Sequence, residues 1–154
     1  MEACIEDLVL DSVEAAYETW VRNGQSHACL LRLLAYTPRE SFPKYWEQLP
    51  FTKRLEFVKE RFVGWVRASN HGIKESDLLA LFGPVGIEMS ELDPVWVNDM
   101  NSFASQRGET AHSSSHPSLT TQQPPDPGTE RDRVRRLVSG LKDVDDRLGV
   151  HRGS

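Results

Sequence analysis

The stretch Asp93-Pro-Val-Trp-Val-Asn-Asp-Met-Asn-Ser-Phe-Ala-Ser-Gln-Arg-Gly-Glu-Thr-Ala-His112 decides the reading of this chain. Its first two residues are a strong helix start, a capping aspartate followed by proline at the first helical position. Behind them Trp96, Met100, Phe103, Ala104, Arg107 and Ala111 recur at steps of three and four, the period of an amphipathic helix. Arg107 therefore falls on the stripe that should face a core or a partner. His112 follows one residue after the stripe, about 140° around an ideal helix from Arg107, close enough for a long arginine to bend toward it. An imidazole moves protons near neutral pH, and a guanidinium offers phosphate a planar fork of donors, so the pair has the means to bind and cleave a phosphodiester. A capping histidine beside a salt-bridged arginine is the plainer meaning of the same spacing.

Working outward, the chain reads as helices throughout. Ile5, Leu8, Val9, Val13, Ala16, Tyr17, Trp20 and Val21 make one apolar stripe from Glu2 to Asn23, with Gly24 as its stop. Its other face carries Glu2, Glu6, Asp7, Asp11 and Glu14, while Glu18 lies close to the stripe, either capping a neighbour or pairing with Arg107. A short leucine-rich helix is expected from Ser26 to Tyr36, ended by Thr37-Pro38, and a helical connector whose aromatics cover the core from Ser41 to Trp46. Pro50 opens a helix reaching about Val66, with a basic outer face neutralised by Glu56 and Glu60. Asn70-His71-Gly72 reads as a turn. Ser76 or Asp77 caps the next helix, which Gly83-Pro84-Val85-Gly86 should break. No credible sheet is present.

After His112 the composition shifts to serine, threonine, glutamine and proline, so 113–128 is a linker, with His116 in it a loop histidine or a second imidazole. From a Thr129 cap, Val134, Leu137, Val138, Leu141, Val144 and Leu148 define a last helix over 129–149, packing on the core formed by 1–112. Arg131, Arg133, Arg135 and Arg136 crowd its first half, where the helix dipole prefers anions. They call for an acidic partner, either the acidic face of the first helix or RNA.

At 154 residues the chain has room for one all-α domain, a bundle of about five to seven helices. A net charge of −5 argues against binding nucleic acid by bulk electrostatics, so any such site is local. No apolar run approaches the ~20 residues that cross a bilayer. The acidic N-terminus and the presence of only Cys4 and Cys29 suggest a reducing cytoplasm, with both thiols serving as small apolar side chains. Metal and nucleotide motifs are missing: there is no H-E-x-x-H, clustered Cys/His, Gly-rich phosphate loop or G-x-S-x-G, and no cofactor is expected.

Phe103-Ala-Ser-Gln-Arg-Gly-Glu-Thr-Ala-His112 resembles the R-x-x-x-x-H signature of the HEPN superfamily of all-helical ribonucleases, in the Arg-Gly-Glu-x-Ala-His form of its RiboL-PSP-type domains. Glu18, the Asp93-Pro94 start, the leucine-rich helix before Gly86-Ile87 and the last helix Leu-Val-Ser-Gly-Leu-Lys-Asp-Val-Asp-Asp-Arg-Leu148 extend the likeness over nearly the whole chain. The resemblance implies an HEPN-like bundle and metal-independent RNA cleavage by Arg107 and His112, with two copies of the motif meeting across a homodimer. Glu18 and Glu109 would support the pair, and a toxin–antitoxin or phage-defence setting with an antitoxin partner would follow. Gly108 stands where many members carry Asn, Asp or His, a polar contact that Glu109 would have to supply. The rival expectation is a non-catalytic helical module that dimerises or binds a protein or RNA.

Overall fold

The computed structural model describes residues 1–25, 27–69, 72–113 and 126–152, with 107–113 and 150–152 described through their backbone alone. The described residues form an all-α bundle of six helices, without a strand. They are α1 (Glu2–Asn23), α2 (Ala28–Tyr36), α3 (Phe51–Ser69), α4 (Glu75–Val85), α5 (Pro94–Ser113) and α6 (Pro127–Arg152).

The core sits around α1, which packs on α2, α3, α4 and α6 through Ile5, Val9, Val13 and Ala16, all essentially inaccessible. α1 ends as its sequence demands: Gly24 takes the left-handed conformation at φ 68° and its N–H returns to the carbonyl of Trp20. Val21, expected on the stripe, is 66% exposed, while its neighbour Trp20 packs edge-on against Phe51 of α3. α2 runs from Ala28 with buried His27 as its cap, accepting from the Cys29 N–H at 3.2 Å through Nδ1; Ser26, the expected start, lies outside the described residues.

The expected connector helix is two 3-10 turns, Arg39–Ser41 and Trp46–Gln48, separated by Pro43. Phe42 and Trp46 stack at 4.0 Å between them and pack against the core. α3 then buries Leu55, Val58, Phe62 and Val66 and continues to Ser69. Asn70 and His71 of the expected turn lie outside the described residues.

α4 overrides two local signals. Its cap is Lys74, with the Asp77 carboxylate accepting from the Lys74 N–H at 3.0 Å, so Asp77 closes the helix start from inside rather than preceding it. The helix also runs through Gly83-Pro84 to Val85, because Leu78, Leu81, Phe82 and Val85 are all buried and their packing outweighs the lost proline hydrogen bond. The stop is Gly86 at φ 96°, where a Cβ would also collide with the Arg32 guanidinium. A 3-10 turn, Met89–Glu91, leads into α5. No helix of the described residues is long and apolar enough to cross a membrane.

Candidate functional site

α5 begins as read, with Asp93 Oδ1 accepting from the Val95 N–H at 2.9 Å. Its first turns bury Trp96, Val97 and Met100, and the Trp96 indole N–H donates to the Leu137 carbonyl of α6 at 3.1 Å. Gly140 of α6 lies beneath that indole, where a Cβ would come within 2.1 Å of the ring. The two helices therefore approach at a glycine, and one buried hydrogen bond fixes their register.

The arginine-rich first half of α6 lies along the part of α5 that leads into Arg107. Arg136 grips Asp99 with both arms of its fork, Nε to Oδ2 at 2.7 Å and NH2 to Oδ1 at 3.4 Å. That carboxylate pushes the Arg136 pKa further up from its already high ordinary value. Arg133 is buried, its side chain only 9% exposed. It donates to Gln106 Oε1 at 2.6 Å and to the Asp99 carbonyl at 3.5 Å, lies 3.6 Å from Glu130, and sits over the Phe103 ring. Arg131 and Arg135 face solvent and share one carboxylate, Asp132, at 3.8 and 3.3 Å.

These contacts correct two expectations. Arg131, Arg133, Arg135 and Arg136 meet groups of α5 and of α6 itself rather than the acidic face of α1; Asp99 was missed as a partner, and Gln106 with it. Arg133, read as a candidate RNA contact, is instead committed to packing α6 on α5, while Arg131 and Arg135 remain presented to solvent. The α6 stripe is also wider than the core uses: Leu137, Val144 and Leu148 are buried, but Val134 and Val138 are 49% and 56% exposed.

Arg107, Glu109 and His112 lie on the continuous helical backbone of α5, and their side chains are outside the described residues. The backbone keeps Arg107 and His112 on one unbroken helix, just beyond the Arg133–Gln106 link. His116 and most of the expected linker fall outside the described residues. The last helix begins at Pro127 and reaches Arg152, longer at both ends than the expected 129–149, and its cap is Asp126 rather than Thr129. Asp126 Oδ2 accepts from both the N–H and the hydroxyl of Thr129, at 2.8 and 3.0 Å, which lowers its pKa.

Glu18 is exposed and pairs with Arg22 one turn on at 3.8 Å. It thus belongs to the outer acidic face of α1 rather than to the border of the apolar stripe. Lys59 on α3 finds its carboxylate on that face too: it bonds Glu14 at 3.1 Å and lies over the Tyr17 ring, where Glu56 and Glu60 had been expected to neutralise it. Glu56 does pair with Lys53. Of the thiols, Cys29 is buried as expected, its pKa pushed up to about 12 by burial, whereas Cys4 is exposed.

The chain matches no family model, no curated protein and no solved structure.

Proposed function

We propose that the protein is a metal-independent endoribonuclease of HEPN type, acting as a cytoplasmic homodimer on a site built from Arg107 and His112. The observation that carries this reading is the packing of the arginine-rich start of α6 on the stretch of α5 that leads into the motif, through Arg136–Asp99 and Arg133–Gln106. It sets the exposed guanidinium groups of Arg131 and Arg135, which share the single carboxylate of Asp132, on the helix that packs beside the approach to the R-x-x-x-x-H segment.

RNA cleavage of this kind deprotonates the 2′-hydroxyl, stabilises charge on the phosphorane and protonates the leaving 5′-oxygen. Histidine handles the protons and arginine the charge. One imidazole per chain supplies only half of that acid–base set, and a second copy across a twofold axis supplies the other half. The exposed ridge of Val134 and Val138, on the helix half that lies against α5, is the surface through which the copies would meet. Glu109 is the carboxylate nearest in sequence to stand in for the polar group that Gly108 lacks. A toxin–antitoxin or phage-defence role, restrained by an antitoxin protein, fits such an activity.

The test is cleavage of single-stranded RNA by the purified protein in EDTA, leaving a 2′,3′-cyclic phosphate. His112→Ala should lose about 10²–10⁴-fold in rate, and Arg107→Ala about 10²–10³-fold, with the dimer intact. RNA binding should survive His112→Ala better than Arg107→Ala, since only arginine carries a permanent charge. Wild-type protein that binds RNA or a protein partner but never cuts would replace this reading with the non-catalytic helical module.

A further inference from the structure

Among the described residues no lysine, arginine, aspartate or glutamate is buried except Arg133. Taking a guanidinium out of water is costly, and an apolar side chain of similar length would pack the same seam without that cost. The position therefore asks for something that only the charged fork supplies. Its donors are directional: NH1 bonds Gln106 Oε1 at 2.6 Å and NH2 the Asp99 carbonyl at 3.5 Å, with the Glu130 carboxylate 3.6 Å away and the Phe103 ring beneath. A planar fork of this kind holds its acceptors in one orientation.

Three links run down the seam between α5 and α6, Trp96 to Leu137, Asp99 to Arg136 and Gln106 to Arg133, so the two helices lie antiparallel. The Trp96 link is at the far end from the motif, and the Arg136 side chain is half exposed. Arg133 alone is both buried and at the approach to the motif, for Gln106 directly precedes Arg107. From there α5 continues as unbroken helix through His112, so the backbone of both motif residues goes where residue 106 goes. His112 lies six residues on, about 9 Å along the axis, and a tilt of about 6° at Gln106 would carry its backbone about 1 Å. A misplacement of that size can cost about 10²-fold in rate.

We infer that Arg133 is a positioning residue for the RNA-cleaving pair: by gripping Gln106 it sets the tilt of the last turns of α5 against α6, and with it the place of Arg107 and His112. The inference rests on the ribonuclease reading and adds to it a component outside the R-x-x-x-x-H motif.

Two substitutions separate this role from plain packing. Arg133→Met keeps an apolar stem and removes every donor, while Trp96→Phe removes the indole N–H that bonds Leu137 at the other end of the seam. Cleavage of a single-stranded RNA oligonucleotide is measured over a range of RNA concentrations, at a temperature where circular dichroism shows both variants folded. The kcat of Arg133→Met should fall at least about tenfold with KM unchanged, because the side chain touches α5 and not the substrate. Trp96→Phe should keep the wild-type kcat, and Arg133→Lys, whose ammonium reaches Gln106 but lacks the fork, should fall between the two. Should Arg133→Met not fold, Arg133→Lys against Trp96→Phe makes the same comparison. A wild-type kcat in the Arg133 variants, an equal fall in Trp96→Phe, or a raised KM at unchanged kcat overturns the inference and leaves the ribonuclease reading standing. A wild-type protein that never cuts RNA overturns both.

Discussion

Arg133 and Arg136 stand three positions apart on one helix, yet their environments give them opposite weights. Arg136 is half exposed and meets Asp99 in water-screened geometry, so Arg136→Ala should change stability little. Arg133 is buried against Gln106, the Asp99 carbonyl and the Phe103 ring. Its removal takes these contacts away and opens a void between α5 and α6, and Arg133→Ala should cost about 3 kcal/mol or more. Chemical denaturation of the two variants measures the difference; equal losses would mean that Arg133 is solvated rather than packed. The arginine cluster was visible in the sequence as a group in need of acceptors. Its partners were not: Asp99 and Gln106, seven residues apart, share a face of α5 by the helical period, but nothing in the sequence says that α6 lies against that face. Glu18 failed for the opposite reason: a position between two aromatics reads as half buried, but its neighbours Tyr17 and Trp20 turn toward α3 and Glu18 is left outside.

At the scale of elements, the same dipeptide opens two helices. Asp93-Pro94 was legible at once, and Asp126-Pro127 does the same at α6, though its proline-rich surroundings read as linker and drew the start to Thr129. Helix bounds were legible where stripe and stop agree, as over the whole of α1, and were missed where packing beats a local breaker, as at Gly83-Pro84 in α4. Asp126→Ala should destabilise the protein by leaving the first turn of α6 uncapped. The pH dependence has a definite sign. The Thr129 N–H and hydroxyl hold the Asp126 carboxyl below its usual value, so the folded state binds its proton less readily than the unfolded state. The cap's stabilisation is present above the ordinary aspartate range and is lost as pH falls through the lowered folded value. Denaturation midpoints of wild type and Asp126→Ala should therefore converge on acidification, and a gap that stays constant down to strongly acidic pH would show that the carboxylate is not the cap.

For the whole molecule, the unresolved balance is between a core that is complete within one chain and a surface that is not. Leu137, Val144 and Leu148 satisfy the bundle, while Val134 and Val138 remain in water on the part of α6 that lies along α5 between Trp96 and Gln106. Apolar periodicity alone could not separate these two sets, since both fall on one stripe wider than a single contact needs. If the second set is a twofold contact, light scattering should give about twice the 17.5 kDa of the chain. Val138→Glu should then yield a folded monomer, because an exposed substitution costs the single chain no more than about 0.5 kcal/mol. In that monomer RNA cleavage should fall with dimerisation and recover in neither EDTA nor added metal, since what is lost is the second imidazole. A Val138→Glu monomer that cleaves like wild type would separate activity from assembly and require that one chain carry both the acid and the base. A wild-type chain that is monomeric at every concentration would remove the symmetric site altogether.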